Sequence, residues 1–267
     1  YEISLGLVGS EMCIRDSTYI IFIALCFGSF ANVCIYRLPY NKSLLTSSEC
    51  YHCQKPIPFY FNIPIFAFFL LNRKSACCQK TLSWQYPIVE ALTALGGVYL
   101  YLTYGLHIES ILAFAFFLAL LIIFFTDLNE YIIPNTITYS LCILGILAAQ
   151  FSFSVFNISL VESLLGGLIS GGILLLTSKI YLLVRKKEGM GMGDVKMIAM
   201  IGFWMGLENT FLVLIASSLL GSIIGIGLIQ LKKIETTQYI PFGTFLSLGS
   251  IIVWIQGILF NVNLFAI

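Results

Sequence analysis

Residues 118–135 read LALLIIFFTDLNEYIIPN, and this stretch decides the class of fold. An unbroken apolar run leads to Thr126, and an ionisable side chain, Asp127, follows at once. Such a run is typical of a helix buried in a core or in a membrane. The whole chain of 267 residues is 59% hydrophobic and only 10% charged, against roughly 25% charged residues in a soluble domain. The composition excludes a soluble globular protein and predicts an all-α, polytopic membrane protein.

The other apolar runs predict how often the chain crosses the membrane. One crossing needs about 20 apolar residues, so this chain has room for about eight. The predicted helices lie near residues 18–36, 86–105, 110–126, 136–152, 160–184, 196–207, 209–231 and 240–260. The run at 196–207 is the weakest, because about 12 residues at ~1.5 Å each do not span ~30 Å of hydrocarbon unless the bilayer thins or the helix is re-entrant.

Basic residues predict the orientation of these helices. From residue 17 onward, those outside the helices fall in segments 37–80, 185–196 and 232–238, whereas residues 81–178 contain none. Loops rich in lysine and arginine stay in the cytoplasm, so these segments are predicted on the cytoplasmic side of the membrane. The net charge of +1 provides no field that would recruit a nucleic acid. We therefore expect the lipid bilayer and membrane-bound substrates as partners.

The chain divides into four regions along its length. The run EMCIRD near the start looks like a translated adapter sequence, so residues 1–17 are interpreted as a non-native fusion or truncated start; the alternative is a short periplasmic or signal-like start. The remaining regions are the first transmembrane helix at 18–36, a cytoplasmic cysteine loop at 37–85, and a membrane-embedded domain at 86–267.

Two aspartates in the last region are candidate catalytic residues. Asp127 is predicted at the inner end of a transmembrane helix, and Asp194 follows the basic end of another in GMGMGDVK, residues 189–196. Carboxylates at membrane depth are costly and mark function by default. Two that share a site do not both ionise cheaply, which is the state that an aspartyl protease uses. One then deprotonates a water while the other donates a hydrogen bond to the scissile carbonyl.

The glycines beside Asp194 fit this chemistry. Gly191 and Gly193 lack a Cβ, so they permit a positive φ and allow a substrate backbone to come close to the carboxylate. The alternative is that Asp127 and Asp194 are helix N-caps, with Asp194 capping a helix that begins at Val195.

Several motifs together resemble one family, the bacterial type IV prepilin peptidases. Residues 191–196, GMGDVK, are similar to the G-x-G-D motif of aspartyl membrane proteases, and TDL at 126–128 and IPN at 133–135 accompany it. The other motifs, in the family's order, are GSFANVCIYRLP at 28–39, NIP at 62–64, YPIVE at 86–90 and PFG at 241–243.

The resemblance implies a bifunctional enzyme of the cytoplasmic membrane with an aspartyl peptidase domain over 86–267. It implies that Asp127 and Asp194 cleave the leader of prepilin-like or pseudopilin precursors of type IV pili or type II secretion. It further implies N-methylation of the new N-terminus with S-adenosylmethionine, although the sequence shows no nucleotide-binding βαβ unit for this donor. A transporter or ion relay that uses the two aspartates is the alternative, and a catalytically inactive scaffold is a third class.

The cysteine loop predicts a metal site. Cys50 and Cys53 form a C-x-x-C pair, the spacing at which two thiolates hold one zinc ion, and the adjacent Cys77 and Cys78 supply further ligands. By the resemblance, the third family cysteine falls at Ser75, so either Cys77 or His52 completes a structural zinc site. A metal-free loop with reduced thiols and a redox pair are the alternatives.

Three further positions carry open expectations. Glu90 either pairs with Lys80 or neutralises a basic substrate leader. Lys196 either biases the ionisation of Asp194 or extends toward the lipid phosphates. The family's proline after residues 241–243 is Thr244 here, which predicts a less rigid loop.

Overall fold

The computed structural model describes residues 2–44, 46–47, 49–50, 53, 55–57, 64–187, 189–231 and 240–260, with the backbone alone for 2–16, 67 and 259–260. Eight α-helices cover most of these residues. They are α1 Glu2–Arg37, α2 Phe66–Leu70, α3 Gln85–Tyr104, α4 Ile108–Glu130, α5 Asn135–Gln150, α6 Leu160–Arg185, α7 Met192–Gln230 and α8 Phe242–Phe260. In the described part of the chain there is no β-strand, only two isolated bridges. The prediction of an all-α protein is confirmed.

Among the described residues, four helices are long and apolar enough to cross a membrane by length and composition. These spans are Ser17–Tyr40, Ile108–Glu130, Leu160–Arg185 and Met192–Gln230, and shorter apolar helices lie at Asn135–Gln150 and Phe242–Ile258. The helix bounds follow the apolar runs of the sequence closely. The first helix is an exception, since it begins at Glu2, well before residue 18.

The helix α7 is broken where the sequence predicted two helices, at 196–207 and 209–231. Its two helical parts meet at a single non-helical residue, Gly206, at φ 75° and ψ 176°. This region of conformational space is open essentially to glycine alone. One residue therefore suffices to break the helix, and no separate connecting loop is needed.

The chain forms two compact units, residues 1–121 and 122–267. In the first unit, α1 packs against α3. Gly28 makes this contact close, because a Cβ at this position would lie 2.7 Å from the Cα of Glu90. At the loop end of α1, the buried guanidinium of Arg37 donates hydrogen bonds to the carbonyls of Ser43, Thr46 and Ser47 at 2.7–3.1 Å. The arginine thereby fixes the start of the cysteine loop.

In the second unit, α7 is central and packs against α5, α6 and α8. The α6–α7 contact is backbone to backbone, because a Cβ at Gly166 would overlap the carbonyl oxygen of Gly202, and the reverse also holds. The hydroxyl of Ser163 donates to the Phe203 carbonyl at 2.7 Å, and the indole N–H of Trp204 donates to the Leu141 carbonyl of α5 at 2.8 Å. These contacts fix the helix whose first turn carries Asp194.

Candidate active site

Asp127 lies in the last turn of α4 and is only 5% exposed. Its Oδ2 accepts hydrogen bonds from the backbone N–H of Thr244 at 2.8 Å and from the Thr244 hydroxyl at 3.2 Å. The N–H of Gly243 donates a further hydrogen bond to the carboxylate. Both N–H groups belong to the first turn of α8, where backbone donors have no partner within their own helix. The start of α8 is therefore a ready-made anion site for Asp127.

Asp194 lies in the first turn of α7, and its carboxylate accepts a hydrogen bond from the N–H of Gly191, the N-cap residue. It is close enough to Asp127 for the charge of that carboxylate to act on it. The structure therefore brings together the two aspartates that the sequence singled out, although 66 positions separate them along the chain.

Ile133 lies between the two glycine-containing turns of the site. A Cβ at Gly193 would lie 3.2 Å from the Cβ of Ile133, and a Cβ at Gly243 would lie 2.7 Å from its Cδ1. The added Cβ at Gly243 would also lie 3.0 Å from Oδ2 of Asp127. Both glycines are therefore required for close packing around the carboxylates.

Two sequence-based expectations about this region are wrong. Neither aspartate is an N-cap, since Asp127 is near the C-terminal end of α4 and Gly191 is the N-cap of α7. The glycines beside Asp194 do not need a positive φ either: Gly191 has φ −68°, and in the described part of the chain only Gly105 and Gly206 are glycines with a positive φ. The remaining reason for glycine beside Asp194 is that a residue without a Cβ lets other groups come close to the carboxylate.

Lys196 points to α5 and not to Asp194. Its Nζ donates a hydrogen bond to Oδ1 of Asn135 at 2.9 Å and lies 5.3 Å from the centre of the Tyr139 ring. Lys196 thus joins the first turn of α7 to the start of α5, just after the Pro134 turn. It holds the start of α5 against the first turn of α7 and does not pair with Asp194.

The cysteines form a compact cluster in the first unit. The Sγ atoms of Cys50, Cys53, Cys77 and Cys78 all lie within 4.8 Å of one another. Cys77 and Cys78 are neighbours in the chain, yet both reach the cluster: Sγ of Cys77 lies 3.1 Å from Sγ of Cys53, and Sγ of Cys78 lies 3.8 Å from Sγ of Cys50. The hydroxyl of Ser75 is also in the cluster, 3.2 Å from Sγ of Cys50.

The geometry of this cluster suits a metal ion. A tetrahedral zinc with Zn–S of about 2.3 Å has sulfur pairs about 3.8 Å apart. The hydrogen bond with Cys77 raises the pKa of the Cys53 thiol to about 11. A metal ion would bind the thiolate, so its binding would release this proton. His52, the other candidate ligand, lies outside the described residues.

Part of the site was missed by the sequence analysis. Thr244 and Gly243 are 117 and 116 positions from Asp127, so no local pattern links them to it. The only sequence signal for these donors was the PFG motif at 241–243, followed by Thr244 where the family's pattern has proline.

The fold and the site together define a class of protein. It is a helical integral membrane protein in which two aspartates, one half-buried and one buried, meet where α4 ends and α7 and α8 begin.

Comparison with known proteins places the chain within this class. Residues 22–104 match the bacterial peptidase A24 N-terminal domain, and residues 114–226 match the type IV leader peptidase family. The prepilin leader peptidase/N-methyltransferase of Aeromonas hydrophila is 32% identical over 88% of both chains. The proteins of that name from Pseudomonas aeruginosa and Legionella pneumophila are 31% and 28% identical, over 89% and 88% of this chain and 89% of each relative. No solved structure matches the chain. The chain belongs to the prepilin leader peptidase/N-methyltransferase family.

Proposed function

We propose that this protein is a membrane aspartyl endopeptidase that removes the leader of type IV prepilin-like precursors and N-methylates the new N-terminus. The observation that carries the peptidase half is the meeting of Asp127 and Asp194 at three helix ends. The family membership and the names of the relatives support both halves. We place the site on the cytoplasmic side, because the basic loops of the sequence are predicted there.

The hydrogen bonds assign a role to each aspartate. Three donors from α8 point at Asp127, which suits a carboxylate that carries negative charge and activates a water. Asp194, beside that charge, holds the proton and donates it to the scissile carbonyl. The water adds to the carbonyl carbon as its proton passes to Asp127. Collapse of the tetrahedral intermediate then breaks the C–N bond, with a proton returned to the leaving amine.

The peptide bond that is cut must leave the helical form, since a helix hides its carbonyls in hydrogen bonds. The Gly191–Gly193 turn is our candidate for the segment that receives an extended substrate, because Gly191 is exposed and no Cβ restricts access to Asp194. Apolar helices of the precursor would remain in the bilayer while its cleavage site reaches this turn.

The methylation half needs a methyl donor, and S-adenosylmethionine is the donor that the relatives' name implies. It supplies an electrophilic methyl group when bound. The described residues are helical and contain no βαβ nucleotide unit, so we assign none of them to the donor and derive no step through it.

The proposal is tested by incubating the purified protein in detergent with a full-length type IV prepilin and S-adenosylmethionine. Mass spectrometry of the product is expected to show loss of the leader and a gain of 14 Da, the mass of one methylene, on the new N-terminal residue. A leader left intact by folded protein would overturn the peptidase half, and a trimmed product without added mass would overturn the methylation half.

We further propose that the four cysteines hold a structural zinc ion that joins Cys50 and Cys53 to the turn at 75–78. Metal analysis of the native protein is expected to give about one zinc per chain. Cys50→Ser and Cys77→Ser are each expected to lower this content to near zero, since either removes one of four sulfur ligands. Cys26→Ser is the control, because Cys26 is a free thiol in α1 outside the cluster.

Retention of zinc in Cys77→Ser alone would show that Ser75 or His52 completes the site. A native protein free of zinc after growth in zinc-supplemented medium would contradict the metal assignment and favour a reduced thiol loop.

Thr244 gives a more local prediction about the active site. Proline at this position, as in the family's pattern, has neither an N–H nor a hydroxyl, so Thr244 gives this chain two donors to Asp127. Thr244→Val removes the hydroxyl and keeps the size and the N–H. A lost hydrogen bond to a charged group costs about 1.4 kcal/mol, which lowers kcat roughly tenfold.

The cleavage kinetics check this expectation. KM is expected to stay unchanged in Thr244→Val, and Thr244→Ser is expected to restore kcat. Ser250→Ala is the matched control, because within the described ranges the Ser250 hydroxyl donates only to the Leu246 carbonyl of its own helix. Equal kcat values for the valine and native proteins would contradict a positioning role for the hydroxyl.

A further inference from the structure

A second carboxylate is buried away from the aspartate pair, in the first unit. Glu90 lies in the second turn of α3 and is 6% exposed. It accepts hydrogen bonds from the N–H of Ile65 at 2.7 Å and from the hydroxyl of Ser29. No lysine or arginine is among its partners in the described part of the chain, so the expected pairing with Lys80 is wrong. A buried carboxylate without a cation is costly and calls for a reason.

An unpaired acceptor belongs to the same α1–α3 contact. Asn32 is 6% exposed, and its Nδ2 donates to the carbonyl of Tyr86 at 3.1 Å. This bond fixes the amide orientation, because only the nitrogen of the amide is able to donate to a carbonyl. Oδ1 is then buried, and within the described ranges it receives no hydrogen bond.

The helix register places the two acceptors on facing surfaces. Ser29 and Asn32 are three residues apart on one face of α1, and Tyr86 and Glu90 are four apart on one face of α3. Ser29 contacts Glu90 while Asn32 contacts Tyr86 one turn away. The group therefore offers a buried carboxyl group and a carbonyl oxygen without a hydrogen bond on adjacent turns.

The segment that caps Glu90 is strained. Ile65 has φ 61°, an unusual value for a β-branched residue, and the N–H of Phe66 bonds to the carbonyl of Pro64 at 2.6 Å in a three-residue turn. This turn presents the Ile65 N–H to Glu90. An apolar cavity of about 330 Å³ opens beside it, lined by Ile65, Phe66, Phe69 and Leu70. Strain of this kind is concentrated at ligand sites.

We propose that Glu90, Asn32 and Ser29 bind a primary ammonium group, with the adjoining apolar side chain in the cavity beside Ile65. An ammonium group carries the positive charge that is missing beside Glu90. Its three N–H donors are enough for the carboxylate, the Asn32 oxygen and the Ser29 hydroxyl. The inference rests on the proposed function, which provides two possible sources of the ammonium group. One is the α-ammonium that leader removal creates, and the other is a lysine side chain of the basic leader.

The test compares peptides that differ only in whether one kind of amine is free. Fluorescence anisotropy measures binding of two labelled probes to the full-length protein in detergent: a ten-residue peptide of a mature pilin N-terminus and the corresponding leader peptide. The mature peptide is used with its α-amine free and acetylated. The leader peptide has an acetylated α-amine throughout and is used with its lysine side chains free and acetylated. We expect the native protein to bind one free-amine probe at least tenfold more tightly than its acetylated form.

The arms of the experiment separate the two sources. A preference for the free mature peptide identifies the α-ammonium, and a preference for the free leader identifies a lysine. Glu90→Gln, which is isosteric and neutral, is expected to abolish the preference, whereas Glu109→Gln in the same unit is expected to keep it. Equal binding of free and acetylated forms of both probes by the native protein overturns the proposal, and this comparison does not depend on any variant folding.

Cleavage of a full-length precursor by the same preparation is scored in parallel. Cleavage without any amine preference would contradict the ammonium site alone. An amine preference without cleavage would support the ammonium site and contradict the peptidase assignment.

Discussion

Replacing either Asp127 or Asp194 by asparagine is expected to reduce leader cleavage on the order of a thousandfold or more, because each variant lacks one half of a proton-transfer pair. Asparagine keeps the size of the side chain and still accepts hydrogen bonds from the start of α8 or from Gly191. It cannot ionise, so it neither activates the water nor exchanges the proton. The measurement is the single-turnover rate of prepilin cleavage.

The two variants together test the pair as a unit. The double variant is expected to be no slower than either single variant, since the second change removes a function that the first has already disabled. Glu130→Gln is the matched control, because Glu130 is an exposed carboxylate at the end of the same helix as Asp127. Near-native cleavage by Asp127→Asn or Asp194→Asn would end the assignment of the protease to that residue.

The second large effect concerns the packing of α6 on α7. Gly166→Ala is expected to lower the free energy of unfolding by roughly 1–3 kcal/mol, because the new methyl group overlaps the Gly202 carbonyl and backbone cannot yield as a flexible side chain does. The position also faces Gly206, at which α7 is broken, with a Cβ 2.8 Å from its Cα. Pushing the helices apart there would displace the helix that carries Asp194.

Gly172 lies in the same helix, and its alanine variant is a control that is expected to change the free energy of unfolding in the opposite direction. A Cβ at Gly172 meets nothing within 4 Å, so Gly172→Ala adds only helix propensity and is expected to stabilise by up to about 1 kcal/mol. Thermal unfolding in detergent, followed by tryptophan fluorescence, measures both changes. Two alanine variants that shift the unfolding temperature in the same direction would contradict the close contact at Gly166.

Much of the fold was predictable because most of its helices coincide with apolar runs in the sequence. The predicted ends of the helices at 86–105 and 160–184 differ from α3 and α6 by about one residue each. The break at Gly206 was visible only as a gap between two runs, since periodicity does not report that one residue holds a left-handed φ. The site was predictable where a local motif carries it, as for Asp194 beside Gly193.

Long-range partners were not predictable. The donors to Asp127 come from the start of α8, and the orphan oxygen of Asn32 depends on its contact with Tyr86 across 54 positions. Likewise, the sequence alone does not show that the adjacent thiols of Cys77 and Cys78 reach one cluster. They do so because bonds such as that from the Ser75 N–H to the Lys80 carbonyl at 2.8 Å curl residues 73–82 tightly.

The cysteine cluster also has an evolutionary consequence. By the resemblance, Ser75 stands where the family pattern has a thiol, and its hydroxyl is 3.1 Å from Sγ of Cys77, so the residue lies inside the cluster. A thiol gained at 77 while one remained at 75 would make five sulfurs available where a tetrahedral ion needs four. Either could then mutate without loss of the set. The cluster is thus reachable through a series of neutral substitutions, in which the ligand moves two places along the chain while staying in the same place in space.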